Sequence, residues 1–189
     1  MALPASWELT LYKFLRRGVS RIEVEDSYSI RLEGEWLRRD HPADLENVRT
    51  RYAAVARKLT RQVDRQESLV GLPEGWLATY YEIPPTELPS KAMGKADAAA
   101  RGYKPRRMIT AFYTSGGRSP LFACFFLWFG PQDEEDPKAV MRQLAYSLEL
   151  QTGPLRTWEL LDIAVTVPSS FQLTHTLFDI GVKLMEFRW

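Results

Sequence analysis

Residues 107 to 130 read RMITAFYTSGGRSPLFACFFLWFG, and this stretch decides the fold. Two β-rich runs, Met108 to Thr114 and Leu121 to Phe129, flank a break at 115 to 120 that contains two glycines and a proline. Two such runs separated by turn residues are typical of a β-hairpin. Because the second run is apolar at every position, we expect that strand to lie inside a sheet with both faces covered.

The composition describes an ordinary compact protein. The 189 residues are 45% hydrophobic and 26% charged, and a chain of this length predicts one domain spanning 1–189. The 25 Lys and Arg residues nearly balance the 24 Asp and Glu residues. The overall charge therefore favours neither a nucleic-acid binder nor a binder of acidic surfaces, and any charged site must be local.

Several features favour a cytoplasmic protein. The longest apolar run, Leu121 to Gly130, is about half of the ~20 residues that a membrane-spanning helix requires. The single cysteine, Cys124, has no intramolecular partner for a disulfide. Residues 1–9 lack the basic and apolar regions of an export signal. We therefore expect no membrane partner.

Alternation of apolar and polar residues predicts three short strands before residue 40. Because one face of each strand is apolar, we expect these side chains to be buried. Turn residues between the strands favour an antiparallel meander. The apolar positions are Trp7, Leu9 and Leu11, then Ile22 and Val24, then Ile30, Leu32 and Trp36.

Two amphipathic helices are also predicted. Apolar residues recur at steps of three and four from Pro42 to about Gln66, and Asp136 followed by Pro137 is a strong helix start. We therefore expect an α+β fold, in which an antiparallel sheet of about seven to nine strands is covered by two principal helices. The remaining predicted strands lie near 76–81, 158–167, 171–178 and 182–189.

Short segments in different parts of the chain have similar sequences. LPEGWLAT at 72–79 is similar to VPSSFQLT at 167–174, and Trp7-Glu-Leu recurs at Trp158-Glu-Leu. A weak internal duplication would produce such matches, and so would chance.

The motif VPSSFQL at 167–173, followed by Phe178 and Gly181, resembles a sheet motif of the PsbP-like fold group. That group includes the photosystem subunit PsbP, the Ran-binding Mog proteins and small bacterial chaperones of secreted effectors. The resemblance covers about twenty residues. It implies an antiparallel sheet with helical cover and a protein-binding role without catalysis. The chain differs from those families in its initial three-strand meander and in a loop at 84–107.

The sequence shows no catalytic constellation. His41 and His175 are its only histidines, and apolar surroundings favour a structural role for Cys124. The acidic run 133–136 is better explained by a helix N-terminus than by a cation site. We therefore expect neither a cofactor nor a metal. An enzyme is the third possibility, and a polar pocket around His175 or Asp162 would reveal it.

Two candidate binding surfaces remain. The first is a basic cluster in the loop 84–107, which we expect to be mobile and which could bind phosphate or nucleic acid. The second is an aromatic groove for a protein partner, although burial in the strands is the simpler explanation for those rings. The basic cluster is Arg101, Lys104, Arg106 and Arg107, and the groove residues are Trp76, Tyr80, Tyr81 and Trp189.

The favoured function is that of a non-enzymatic binding protein. Such a protein would act as an accessory, chaperone or assembly factor through contacts with another protein. The alternative is a phosphate- or nucleic-acid-binding module that uses residues 101–107. Strong salt dependence of binding would distinguish this alternative from the first function.

Overall fold

Strands dominate the structure. The computed structural model describes residues 1–15, 19–38, 42–59, 63–83, 107–116, 120–130, 133–149, 153–160, 163–179 and 182–189. Within these ranges the helices are α1 (Pro42–Leu59) and α2 (Pro137–Ser147). The strands are β1 (Glu8–Phe14), β2 (Val19–Glu25), β3 (Ile30–Arg38), β4 (Arg65–Ser68), β5 (Trp76–Glu82), β6 (Arg107–Thr114), β7 (Leu121–Phe129), β8 (Leu155–Leu160), β9 (Ile163–Pro168), β10 (Gln172–Asp179) and β11 (Val182–Arg188).

Nine of these strands form one antiparallel sheet, in the order β11-β10-β1-β2-β3-β7-β6-β5-β4, while β8 and β9 form a separate hairpin. The antiparallel sheet and the three initial strands are therefore confirmed. The hairpin predicted at 107–130 is confirmed as β6 and β7. Every residue of β7 except Phe126 is buried, as expected for a strand that is covered on both faces.

The predicted α+β architecture, with two principal helices covering the sheet, is wrong. The fold is mostly β. A sheet of nine strands is about 38 Å wide, whereas the 11 residues of α2 extend only about 16 Å. The region predicted as one strand at 158–167 forms two strands, β8 and β9. Most of the loop 84–107 lies outside the described residues, and Arg107 begins β6.

The first helix is shorter than its sequence pattern predicts. It ends at Leu59, and by Asp64 the chain is paired with the sheet, where the Asp64 amide donates to the Glu82 carbonyl at 2.9 Å. Val63, which continues the helical spacing, packs instead on a core cluster that contains Met108 and Trp128. Tertiary burial of Val63 therefore overrides the local periodicity.

The second helix begins where the sequence predicts. The Asp136 side chain accepts a hydrogen bond from the Lys138 amide at 3.0 Å, and Pro137 occupies the first turn. One side of α2 then packs on the face of the sheet that holds Trp76 and Ile109, which we call the core face. The buried residues of this side are Val140, Met141, Leu144 and Ala145.

Asp133, in the same acidic run, has a different role from Asp136. It pairs with Arg31 of β3, which is only 4% exposed. The Arg31 guanidinium donates to Asp133 Oδ1 at 3.0 Å and, through Nε, to Asp26 Oδ2 at 2.6 Å. This buried charge-assisted network ties the β2–β3 turn to the segment that leads into α2.

Three similar turns precede strands β1, β5 and β10. The residues LPASWELT, LPEGWLAT and VPSSFQLT each place an aromatic residue three positions after a proline. The first two turns are each followed by a three-stranded meander, and the two meanders join along β3 and β7. In each turn the proline carbonyl accepts from the aromatic amide: Pro4 from Trp7 at 3.0 Å, Pro73 from Trp76 at 3.3 Å and Pro168 from Phe171 at 2.9 Å. The first turn, at residues 3–10, adds a member to the pair of similar segments found in the sequence, and duplication stays a prediction.

The second of these turns depends on a glycine. Gly75 has a φ of +85°, and a Cβ there would lie 2.4 Å from the Thr114 carbonyl oxygen. We expect Gly75→Ala to lower the free energy of unfolding by more than about 2 kcal/mol, because both the backbone conformation and the contact are unfavourable. Chemical denaturation measures this loss.

Gly71 supplies a matched control. Its φ is +72°, but a Cβ there would meet nothing within 4 Å. Gly71→Ala should therefore cost only about 1 kcal/mol, the conformational part alone. Equal losses in the two variants would show that the contact with Thr114 contributes nothing.

Candidate functional site

A cavity of about 570 Å³ lies between the core face of the sheet and the β8–β9 hairpin. Strands β1, β2, β3, β7 and β10 form its floor, and β8 together with the residues after α2 covers it. Its volume lies within the range of small-molecule sites, roughly 300–1,000 Å³. We call it the aromatic cavity, after its rings Tyr12, Trp36, Phe125 and Trp158.

These rings hold the hairpin on the sheet. Trp158 of β8 meets Tyr12 of β1 edge to face, with centroids 5.4 Å apart, and contacts Phe187 of β11 at 6.4 Å. Tyr12 also contacts Trp36 at 6.0 Å. Trp36, predicted to be buried, is partly buried against the core and lines the cavity. Each aromatic pair contributes roughly 1 kcal/mol beyond its buried area.

Few polar groups enter this apolar cavity. The Tyr12 hydroxyl donates to Ser20 Oγ at 3.3 Å. Burial raises the pKa of Tyr12, and the hydrogen bond with Ser20 and the positive charge of Arg156 partly oppose that rise. Arg156 and Tyr12 line the same cavity. Glu149 is exposed at the rim and is not among the groups that act on Tyr12.

Two donors at the cavity have no protein partner in the described part of the chain. Arg156 is half-buried, and within those residues it forms neither an ion pair nor a side-chain hydrogen bond. The indole nitrogen of Trp158 is buried and, over the same residues, also lacks an acceptor. Buried polar groups are normally hydrogen-bonded, so a wall that retains unused donors is suited to a ligand that brings acceptors.

The described lining of the cavity holds few side chains that act in catalysis. It contains neither histidine nor cysteine, so within this lining no imidazole lies beside Ser20 to act as a base. The only carboxylate of the described lining is Glu149, at the rim. Apolar rings and one cation can select and orient a molecule without activating a nucleophile.

The predicted groove residues do not come together. Trp76 and Tyr80 are buried on the core face, and Tyr81 is buried on the opposite face, because successive residues of a strand point to opposite sides. Trp189 follows β11, near the other end of the sheet, and is 96% exposed. Burial in the strands, the simpler explanation, therefore accounts for the three residues of β5.

Of the predicted basic cluster, the structure describes only Arg107. Its guanidinium donates to the carbonyls of Gly130 at 2.8 Å and Asp133 at 3.1 Å, so it ties the end of β7 to the segment before α2. The other three members, Arg101, Lys104 and Arg106, lie outside the described residues.

Of the remaining sequence candidates, those that the structure describes do not line the cavity. His41 and Asp162 fall outside the described residues. His175 is exposed on β10, opposite Lys13 of β1. Cys124 is buried, and burial raises the pKa of its thiol well above the usual value, so this thiol is unreactive.

Sequence reasoning missed Tyr12, Arg156 and Trp158 as site residues. The available signal was the alternation in β8, which places Arg156 and Trp158 on one face of the strand. That pattern does not show that this face meets β1, which lies far away in the chain.

Comparison with known proteins identifies no family for this chain. No family model matches the chain, and no curated protein is significantly similar to it. The resemblance to the PsbP-like group therefore stays a prediction. The helices among the described residues are too short or too polar to cross a membrane, and no cluster of metal-ligating side chains occurs in that part of the chain.

A second polar cluster lies on the sheet face opposite the cavity. Glu33 of β3 is only 8% exposed, accepts from Arg21 at 2.7 Å and from the Trp128 indole at 3.3 Å, and has Glu23 and Glu35 nearby. Burial raises the pKa of Glu33 to about 7, although Arg21 opposes the rise. The folded protein therefore holds a proton on Glu33 at pH values where an unfolded chain releases it.

Protonation of Glu33 determines whether the unfolding free energy rises or falls with pH. Between pH 4.5 and 7 the folded state binds the proton and the unfolded state does not, so the unfolding free energy falls as pH rises. We expect Glu33→Gln to remove this fall. Relative to the variant, the wild type should lose up to about 3 kcal/mol between pH 4 and pH 8.

Denaturant unfolding across this pH range measures the effect. Glu74→Gln, at an exposed turn residue, is the matched control for the loss of one carboxylate. Parallel profiles for the wild type and Glu33→Gln would show that Glu33 carries no proton in the folded protein.

Proposed function

We propose that this protein is a non-enzymatic binding protein whose aromatic cavity takes a small amphipathic acid. The apolar body of the ligand lies among Tyr12, Trp36 and Trp158, and its carboxylate lies beside Arg156. The observation that carries this proposal is the guanidinium of Arg156, which has no ion pair within the described residues and lines an otherwise mainly apolar cavity of about 570 Å³.

The binding free energy expected for such a ligand corresponds to moderate affinity. Burying roughly 200 Å² of apolar ligand surface contributes about 5 kcal/mol. A hydrogen bond to a charged group adds about 2 kcal/mol. Together these terms correspond to a dissociation constant on the order of 10 µM. The charged contact supplies selectivity, because an uncharged analogue keeps only the apolar part.

A cellular location and a type of partner are also proposed for this protein. A cytoplasmic location is supported by the single buried thiol of Cys124, which needs no oxidising compartment. A role as an accessory or assembly factor, exerted through another protein, fits a binding protein without catalysis. Phosphate or nucleic-acid binding at residues 101–107 is less favoured, because Arg107 is engaged by backbone carbonyls.

Matched probes test the ligand class. Decanoate and decanol, and 4-phenylbutyrate and 4-phenylbutanol, differ in the charged group, and intrinsic tryptophan fluorescence or calorimetry reports their binding. We expect each acid to bind at least about tenfold more tightly than its alcohol. Arg156→Met should abolish this difference while leaving alcohol binding unchanged.

Arg142→Met is the control, because Arg142 is exposed on α2 outside the cavity and its loss removes the same charge. An unchanged thermal melt of Arg156→Met shows that the variant folds. Equal binding of acid and alcohol by the wild type, or no binding of any probe at about 1 mM, contradicts the proposal.

A further inference from the structure

The two edges of the nine-stranded sheet differ in length and chemistry. At one edge, β4 has four residues, all of them polar, and its Glu67 is bound to Lys138 of α2 at 2.7 Å. At the other edge, β11 has seven residues and no proline, and within the described residues no strand pairs with its outer side. A long edge of this kind presents backbone N–H and C=O groups that another strand can use.

Large apolar side chains surround the open edge. Trp189 directly follows β11 and is 96% exposed. Leu184 of β11 is 46% exposed, and its cross-strand partner Leu177 of β10 is 44% exposed. By contrast, Met185 and Phe187 of β11 pack on the core. This edge therefore combines backbone groups that no described strand uses with exposed apolar side chains, of which Trp189 lies at the end of the strand.

The charges of β11 indicate which strand fits. Glu186 and Arg188 lie on one face of β11, where Arg188 donates to Glu186 at 2.8 Å. In an antiparallel pair around a two-fold axis, each residue faces another residue of the same sheet face. A pair centred on residue 187 puts Glu186 opposite Arg188 of the other strand, twice by symmetry. A pair centred on residue 186 would place Glu186 opposite Glu186 of the other copy. A pair centred on residue 185 would place Glu186 opposite Leu184 of the other copy.

We propose that β11 pairs with β11 of a second copy of this chain, antiparallel and with Phe187 opposite Phe187. The two sheets then form one continuous sheet. Met185 of each copy faces Trp189 of the other, so the most exposed ring packs beside the core face. Opposite charges directly across antiparallel strands stabilise the pair, and like charges destabilise it. The surface involved is small, and we expect association at micromolar concentrations or above.

Charge reversal at the two facing positions tests the register. Sedimentation velocity of the wild type at about 10–500 µM should show the dimer. Arg188→Glu places Glu opposite Glu at both contacts, and Glu186→Arg places Arg opposite Arg. Each variant should raise the dimer dissociation constant at least about tenfold.

An equimolar mixture of the two variants should associate again, because each Glu then faces an Arg. Rescue by mixing distinguishes this register from any surface whose charge merely affects solubility. The control is Arg142→Glu at an exposed position of α2, which should leave the dimer unchanged. Circular dichroism confirms that each variant is folded.

A wild type that stays monomeric at 500 µM overturns the proposal, and so does a dimer that survives both single variants. A mixture that fails to associate rejects this register. These outcomes are independent of the cavity, because acid binding is measured on the monomer at low protein concentration.

Discussion

The structure depends on one close contact in the middle of the sheet, where the ring of Phe125 lies against Gly34. These residues face each other across β3 and β7, and a Cβ on Gly34 would lie 3.0 Å from both Phe125 and Ile22. A side chain there would require Phe125 and Ile22 to move by a few tenths of an ångström, within the pair β3 and β7 that joins the two three-stranded meanders. Phe125 also stacks on Trp76 at 5.6 Å and lines the aromatic cavity, so one ring joins the sheet, fills the core and forms the site.

The cavity lies over the part of the sheet that α2 is too short to cover. The main contacts of α2 go to β5 and β6, and about 16 Å of helix covers only about four strands. Over β1 and β2 the cover is the β8–β9 hairpin, which meets the sheet through the side chain of Trp158 rather than through strand pairing. The aromatic cavity is the space beside the Trp158 indole. Arg156, on the same strand, lines this space and has no ion pair within the described residues.

Sequence patterns predicted the features that neighbouring residues determine. The apolar run of β7 indicated a strand covered on both faces, and Asp136-Pro137 indicated the start of α2. The patterns failed where distant residues decide the outcome. Val63 keeps the helical spacing of α1 but packs beside Trp128, and nothing local to β8 shows that Trp158 meets Tyr12. Alternation within β5 did carry information on the groove, since it separates Tyr81 from Trp76 and Tyr80.

The aromatic cavity and the β11 edge share one row of rings. Tyr12 contacts Trp158, Trp158 contacts Phe187, and Phe187 lies at the centre of the proposed strand pair. A ligand at the proposed site between Tyr12 and Trp158 would therefore lie one ring contact away from Phe187. The proposed strand pair would meet the same row of rings at Phe187. Coupling between two sites is reciprocal, so whatever factor a bound acid applies to self-association, self-association must apply to the affinity for that acid.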